Sequence, residues 1–398
     1  MNYILFDDSS REALLPLTFV RPIADIRIGI LTIREKWEKY LETKTSSLSA
    51  TYLQQKFPLV KKANNILING SVCPTPALAE RVRNLKPNEA LIHKDYIIAM
   101  YISEEHLDKI DAEESEVASG QSHIHEISCE AEHFKLSNTW EIFLKNGEEL
   151  KRDFELITKG RISAPISQSN NILAKENVFL EDGVCMEFAT INATEGPVYI
   201  GENATVMEGS VIRGLFALGE YSQLKIGAKI YGPTTIGAHC KVGGEVHNSV
   251  IFGYSNKAHD GYMGNSVIGE WCNLGADTNT SNLKNNYDNI RLWNYAEKTF
   301  SVTGEQFIGL IMGDHSKCGI NTMFNTGTVV GVSSNIYGAG FQRNFIPSFS
   351  WGSPAGMKSY RIDKAIQTAK VVYERRKMDF DQCEQDILTA VYNQTFAY

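Results

Sequence analysis

The chain has no Cys-x-x-Cys pair. Its seven cysteines, at 73, 129, 185, 240, 272, 318 and 383, are odd in number and widely scattered, which argues against both a disulfide framework and a zinc site built on close thiolates. A reducing cytoplasm suits them. Long hydrophobic runs are also missing: no window of the sequence approaches the roughly eighteen apolar residues of a membrane span. There is no run of Lys and Arg either, and 47 acidic against 39 basic residues leave a net charge of −8. That balance argues against a nucleic-acid or anionic-membrane surface, while small anionic ligands stay open to local clusters. The opening MNYILFDDSS lacks a basic region before its short apolar run, so it reads as a first strand and not as a secretory signal. The expectation is a soluble, cytoplasmic protein of 398 residues, long enough for two or three domains.

What is present is a period of six. From Ile200, every sixth residue is aliphatic: Val206, Ile212, Leu218, Leu224, Ile230, Ile236 and Val242. A helix needs apolar residues every three or four positions and a flat strand every two. A strict six is the mark of a parallel β-solenoid, in which three hexads close one triangular coil and the aliphatic residue of each points inward. Gly201, Gly219 and Gly237 follow inward residues, as expected where a tight turn needs backbone angles that a Cβ resists.

The repeat begins faintly at Ile172, Val178 and Val184 and slips by two residues near Ala193 to Pro197. It breaks over His247 to Met263, returns at Ile268 and Leu274, breaks again over Thr278 to Phe307, and resumes at Met312, Cys318, Phe324, Val330 and Ile336. Excursions from a regular solenoid are where binding groups are usually carried. The two breaks are therefore the first places to look for chemistry.

Ahead of the solenoid the rhythm is α/β. Strands are expected at Tyr3 to Phe6, Ile66 to Ile68, Ala90 to Ile92 and Tyr96 to Tyr101, with a turn at Asn69–Gly70. Helices are expected through Ile26, Ile30, Ile33, Trp37 and Leu41, over Pro76 to Leu85, and over Trp140 to Phe154. Such alternation implies a largely parallel sheet. The acidic stretch from Glu104 to Gln121 reads as surface helix and loop. After Tyr360 the pattern turns helical, with Ile362, Ile366, Ala369 and Tyr373, then Phe380, Cys383, Ile387 and Val391, as for a pair of helices capping the open end of the solenoid. The domains expected are an α/β domain over 1–160, a solenoid over 165–350 and a helical cap over 358–398.

The segment SNKAHDGYMGNSVIGEWCNLGADTNTSNLKNNYDNIRL resembles the acetyltransferase segment of the bacterial bifunctional N-acetylglucosamine-1-phosphate uridyltransferase/glucosamine-1-phosphate N-acetyltransferase family. It is similar also to archaeal sugar-1-phosphate nucleotidylyltransferases. His, Tyr-x-Gly, IG, NxGAxT and Asn stand in the family's order, and the likeness covers roughly residues 170 to 345. The resemblance implies a nucleotidyltransferase-like α/β domain followed by a left-handed parallel β-helix, a homotrimer through the solenoid, and acetyl-CoA held between neighbouring subunits. It places His259 on the catalytic base, Tyr262 near the sugar phosphate, and Asn273 and Asn282 on the substrate side, with Lys284 or Arg291 as basic phosphate ligand. The plainer reading of His259 and Asn282 is that of turn residues; His247 and His315, which lack the motif, are read as structural.

In the first half, LPLTFVRPIAD, residues 15 to 25, resembles the PLTxxRPK segment of sugar nucleotidylyltransferases, and NILINGSVCPTPALAERV, residues 65 to 82, their strand and following helix. The departures fall on working residues. FDDSSREA has no glycine where the family has a Gly-rich phosphate loop, Ile23 stands for a lysine, and Ser71 stands for a metal-binding aspartate. Either the domain has lost nucleotidyl transfer or other groups serve it. Arg21 and Arg27 are candidates for phosphate and Asp7 and Asp8 for a metal, with a surface pair at a helix start and a solvated turn as the plainer readings.

The function implied is amino-sugar nucleotide synthesis. The solenoid would acetylate glucosamine 1-phosphate from acetyl-CoA, and the first domain would transfer a uridylyl group from UTP, with Mg²⁺, to give UDP-N-acetylglucosamine. The alternatives are a nucleotidylyltransferase of other base specificity, thymidylyl for instance, with a trimerising solenoid, or a non-catalytic sensor of nucleotide sugars.

Overall fold

The computed structural model describes residues 1–107 and 124–395. Most of the acidic stretch expected as surface helix and loop lies outside the described residues; Glu104–Leu107 is a single helical turn. The chain forms two compact units, one of Met1–Ile26, Leu31–Asn138 and Asp381–Ala390, the other of Arg27–Ile30, Thr139–Phe380 and Val391–Tyr398.

In the first unit, eight strands follow in chain order: β1 (Asn2–Phe6), β2 (Ser46–Leu48), β3 (Asn64–Asn69), β4 (Val72–Cys73), β5 (Glu89–His93), β6 (Tyr96–Ser103), β7 (His125–Ser128) and β8 (Phe134–Lys135). Six of them make one sheet in the order β2-β1-β3-β6-β5-β7. β1 runs parallel to β2 and β3, but β6 is antiparallel to both β3 and β5. The sheet is mixed, not largely parallel as the alternation implied. The cause is local: His93 pairs with Tyr96, and Lys94 between them takes a φ of 54°. A two-residue connection can join only antiparallel strands.

The helix expected from Ile26 begins only at Ile33. Thr32 and Glu35 form a reciprocal capping box at its start. Ile26 and Ile30 are buried, yet outside the helix. The amides just before it are engaged elsewhere: Gly29 N–H donates to Asn146 Oδ1 and Ile30 N–H to Asp153 Oδ2, each at 2.8 Å, so they are withdrawn from any helical ladder. Both acceptors lie on the helix Glu141–Thr158 of the second unit, which is where Arg27–Ile30 belongs.

The second unit is a left-handed parallel β-helix. One sheet has nine strands, from Val178–Leu180 to Phe345–Ile346, and a second has ten, from Cys185–Met186 to Gly356–Ser359. The third face has six, from Asn171–Leu173 to Tyr262–Gly264, and the pair Asn279–Thr280 and Met323–Phe324 follows as a separate sheet. Val198 pairs with Phe216 and Phe216 with Thr234, eighteen residues apart each time, as three hexads per coil require. All eight aliphatics from Ile200 to Val242 are 2% exposed or less. The two-residue slip is seen as Val178 pairing with Val198. Upstream of it, Leu180 and Met186 pair with Ile200 and Val206, so they, and not Val178 and Val184, continue the inward columns.

The first of the two breaks is no excursion. Thr235 pairs with Val250 and Val250 with Val267; the coils persist with shorter corners, through buried Val246, Ile251, Lys257, Met263 and Ile268. The second break is real. Val267 pairs with Ile311, and the chain between leaves the coil to form the hairpin Arg291–Asn294 with Thr299–Val302. Two helices, Ile362–Glu374 and Gln382–Thr395, follow the last coil.

Gly201, Gly219 and Gly237 are required for a reason other than backbone angle, since none has a positive φ. Neighbouring coils approach too closely there for a side chain: a Cβ on Gly219 would lie 2.5 Å from the carbonyl carbon of Gly237. Overpacking of this kind ordinarily costs about 1–3 kcal/mol. Gly219→Ala is therefore expected to lower the unfolding free energy by that amount, seen as a lower denaturant midpoint at unchanged m-value; an unchanged midpoint would mean that the coils spread freely at this corner.

Candidate functional site

The corner between the ten-stranded sheet and the third face carries His259. It follows the strand Asn256–Lys257 and precedes Tyr262–Gly264. The imidazole is exposed and makes no hydrogen bond or ion pair among the described residues, while the backbone carbonyl of His259 accepts from Lys257 Nζ at 2.9 Å. Lys257 is 2% exposed. It fills an inward position, opposite Val242, and its ammonium also donates to Gly243 O at 2.9 Å. Burial pulls its pKa down to about 8, against the raising influence of Asp260 and Asp277.

On the third face, Tyr262 and Asn282 are brought together. Asn282 Nδ2 donates to Tyr262 Oη at 3.1 Å and to Asn265 Oδ1 at 2.7 Å, and Tyr262 N–H donates to Asn279 Oδ1 at 2.8 Å. Burial raises the phenol pKa of Tyr262, with the Asn282 bond opposing in part. Asn273 is not part of this group. It is exposed on the ten-stranded sheet, paired with Asn256 and Lys317. Lys284 Nζ donates to Asn289 O at 3.0 Å, and Arg291 Nε and Nη2 donate to Phe300 O at 3.2 and 2.6 Å. Both cations are thus turned onto the backbone of the excursion that carries them.

The first unit has its own polar cluster, where the C-terminal ends of β1 and β3 lie side by side, the usual place for a ligand in an α/β sheet. Asp8 accepts from Ser10 N–H at 3.0 Å, from Asn69 Nδ2 at 2.9 Å and from Lys135 Nζ at 3.0 Å. Lys135 also donates to Ser10 Oγ and lies 5.5 Å from the Tyr96 ring centre. Tyr96 Oη bonds His133 Nε2 at 2.6 Å. Burial alone would raise the pKa of Asp8, but Lys135 together with Asn69 and Ser10 holds it below the usual carboxylate range. Asp7 is enclosed, accepting from Arg11 Nη1 at 3.0 Å, Ile23 N–H at 2.8 Å and Ser49 Oγ, and burial raises its pKa in spite of them. Arg21, 4% exposed, donates to Leu17 O at 3.2 Å, and Arg27 donates to Ile30 O. Ile23 is core and Ser71 is buried, donating to Asn69 Oδ1 at 2.6 Å.

Among the described residues no three His, Cys, Asp or Glu converge as a metal site. Mg²⁺, however, keeps water and substrate phosphates as ligands and needs only one or two carboxylates. Asp8, with 14% of its side chain exposed against 5% for Asp7, is the one that fits a metal arriving with a nucleotide.

Lys135 and Lys257 are the side chains the sequence reading missed. Lys135 is a lone lysine in a two-residue strand and carries no motif. Lys257 had a signal in principle, as a cation at an inward position, but the shortened corners shift the hexad frame before it.

Residues 3–162 match the family model described as sugar nucleotidyl transferase, which bears out the resemblance carried by LPLTFVRPIAD. The chain is 32% identical over 136 residues to bifunctional protein GlmU of Methanocaldococcus jannaschii, covering 34% of this chain and 28% of that protein. It is 32% identical over 149 residues to the bifunctional sugar-1-phosphate nucleotidylyltransferase/acetyltransferase of Sulfurisphaera tokodaii, covering 36% of each. The chain thus spans about a third of the length of these curated relatives. A solved Arabidopsis UDP-N-acetylglucosamine acyltransferase is similar at 18% identity and a TM-score of 0.25, over 54% of this chain and 80% of that one.

Two titrations test these electrostatics. A depressed carboxyl pKa contributes stability that is present above the unfolded-state value and lost as pH falls through the folded one. Lys135→Met should therefore raise the pKa of Asp8, followed by carboxyl NMR, and move acid unfolding to higher pH. For Lys257 the depressed amine favours the neutral form, so its destabilisation is complete below about pH 8 and is relieved as pH rises toward the ordinary lysine value near 10.4, a change on the order of 3 kcal/mol. Lys257→Met should lack that rise. Lys317, whose pKa burial also lowers to about 8, is common to both proteins and drops out of the difference.

Proposed function

We propose that the chain is a bifunctional transferase of amino-sugar nucleotide synthesis, acetylating a hexosamine 1-phosphate on the solenoid and transferring a nucleotidyl group on the first domain. The observation that carries the first activity is the exposed imidazole of His259, without a polar partner among the described residues, on a corner whose backbone is tied from inside. Imidazole is the side chain suited to taking a proton near neutrality. In the proposed step His259 removes a proton from the 2-amino group of glucosamine 1-phosphate as its nitrogen attacks the thioester carbonyl of acetyl-CoA. The C–N bond forms, the C–S bond breaks, and the His259 imidazolium passes its proton to the sulfur so that CoA leaves as the thiol. Tyr262 and Asn282, already hydrogen-bonded to each other, are positioned to bind sugar hydroxyls. Asn273, Lys284 and Arg291 remain candidates for the sugar phosphate or CoA in the assembled protein.

The same corner supports a homotrimer with acetyl-CoA between subunits. Phe188, Ile226 and Ile320 lie at this corner in other coils and are 67, 74 and 68% exposed, separate apolar side chains that a second copy would cover. For nucleotidyl transfer, the supporting observation is the cluster of Asp8, Ser10, Asn69 and Lys135 within the family-matched domain. Mg²⁺ carried by UTP would neutralise phosphate charge beside Asp8. Arg21 and Arg27 would serve only after moving off the carbonyls they bond. The Sulfurisphaera tokodaii relative is named for the same two activities.

The deciding experiment is thiol release from acetyl-CoA with glucosamine 1-phosphate, alongside pyrophosphate release from UTP with N-acetylglucosamine 1-phosphate and Mg²⁺. His259→Ala should lose roughly 10²- to 10⁴-fold of thiol release with pyrophosphate release and melting unchanged. If the wild type releases no thiol with any hexosamine phosphate, the acetyltransferase reading fails and the solenoid is a trimerising scaffold.

A further inference from the structure

Along the inward column of the ten-stranded sheet, Val206, Leu224 and Val242 precede Lys257, and Leu274 and Cys318 follow it. One lysine therefore stands in a column of apolar side chains. Taking an ammonium out of water is costly unless its protons are accepted, and an apolar residue here would fill the same space without that cost. The position of Nζ shows what the lysine supplies in exchange. It reaches past the column to the corner and accepts nothing itself, donating to Gly243 O and to His259 O at 2.9 Å each.

Other corners along this edge are closed differently. Ser210 Oγ donates to Lys225 O at 3.1 Å, Thr278 Oγ1 to Gly275 O at 2.7 Å and Thr322 Oγ1 to Gly319 O at 2.8 Å. Thr278 and Thr322 close their own corners and Ser210 reaches the corner of the next coil, so in each case a short hydroxyl side chain does the tying. The corners Gly243–Gly244 and Ala258–Gly261 contain no hydroxyl, and they are the two that Lys257 ties together. The space is already taken: a Cβ on Gly244 would lie 2.8 Å from Lys257 Nζ. Asp260 and Asp277 face the ammonium and favour its charge, against the burial that lowers its pKa. Even the neutral amine keeps two protons for its two carbonyl acceptors.

We propose that Lys257 is a positioning residue for acyl transfer, clamping the carbonyls of Gly243 and His259 so that the turn presents the His259 imidazole in one direction. Because that imidazole has no polar partner among the described residues, its aim depends on the backbone, and the clamped carbonyl is His259's own. The inference rests on the reading of His259 as general base, and a test on the full chain separates the two.

Lys257→Met keeps the column apolar, so global melting at pH 7 should be unchanged or raised. The amides of Asp277 and Glu245, which donate to Asp260 O at 3.0 Å and Gly261 O at 3.2 Å, should exchange with solvent at least ~10-fold faster as the corner opens locally. In thiol release, kcat should fall by ~10- to 100-fold with KM for both substrates held within about twofold, as expected when a reacting group is misdirected but binding is intact. Unchanged exchange at both amides would overturn the clamp. Faster exchange with kcat unaltered would overturn the positioning role. If the wild type itself releases no thiol, the role in transfer falls with the general-base reading, and the exchange rates still decide whether the clamp exists.

Discussion

The structure depends on one covering interaction: each layer of inward side chains is shielded only by the coil above and the coil below. A buried aliphatic contributes roughly 1.5 to 3 kcal/mol, but for Ile212 or Ile230 that gain exists only because neighbouring coils lie in register over it. Close approach of the coils follows, and with it the glycines whose Cβ would strike the next corner. So does the stacking of rings on the outside, where Tyr221, His239, Tyr254 and Trp271 occupy successive left-handed corner positions with centroids 4.2 to 5.0 Å apart. A spacing set by backbone pairing brings those rings into contact without further adjustment.

Against so uniform a core, polar exceptions stand out as the places where the fold gives up stability. Lys257 is one. In the first unit the equivalent is the meeting of Asp8, Lys135, Ser10 and Asn69 at the ends of two parallel strands. There opposite charges are held partly desolvated, which strengthens their attraction but also raises the cost of losing either one. Asp7, one residue earlier, ties Arg11, Ser49 and the Ile23 amide into the loop.

Much of this was legible beforehand, and the limits have physical causes. The columns from Ile200 to Val242 could be read because every corner between them has the same length. Once the corner after Val242 shrinks to Gly243–Gly244, a frame of six lands on the wrong residues, and continuing coils look like an interruption. Ile26, Ile30 and Ile33 share a helical spacing, yet spacing does not reveal that the amides of Gly29 and Ile30 bond side chains more than a hundred residues away. Motif order did single out His259, Tyr262 and Asn282. It could not reveal that Asn273 lies on another face, or that Lys284 and Arg291 bond the backbone of the excursion, because those depend on side-chain direction.

The excursion between the Asn279–Thr280 strand and Leu310 leaves and rejoins the solenoid at nearly one point. Ile308 N–H donates to Asn282 O at 3.0 Å, and Leu283 bridges Phe307. Its hairpin rests on the later coils through Trp293, stacked 4.1 Å from Phe345. A segment whose ends already touch closes its own loop, and lengthening such a loop adds little entropy cost. The hairpin beyond the Leu283–Phe307 bridge can therefore change in length at little closure cost, while Tyr262 on its coil and Asn282 at the base of the excursion keep their places.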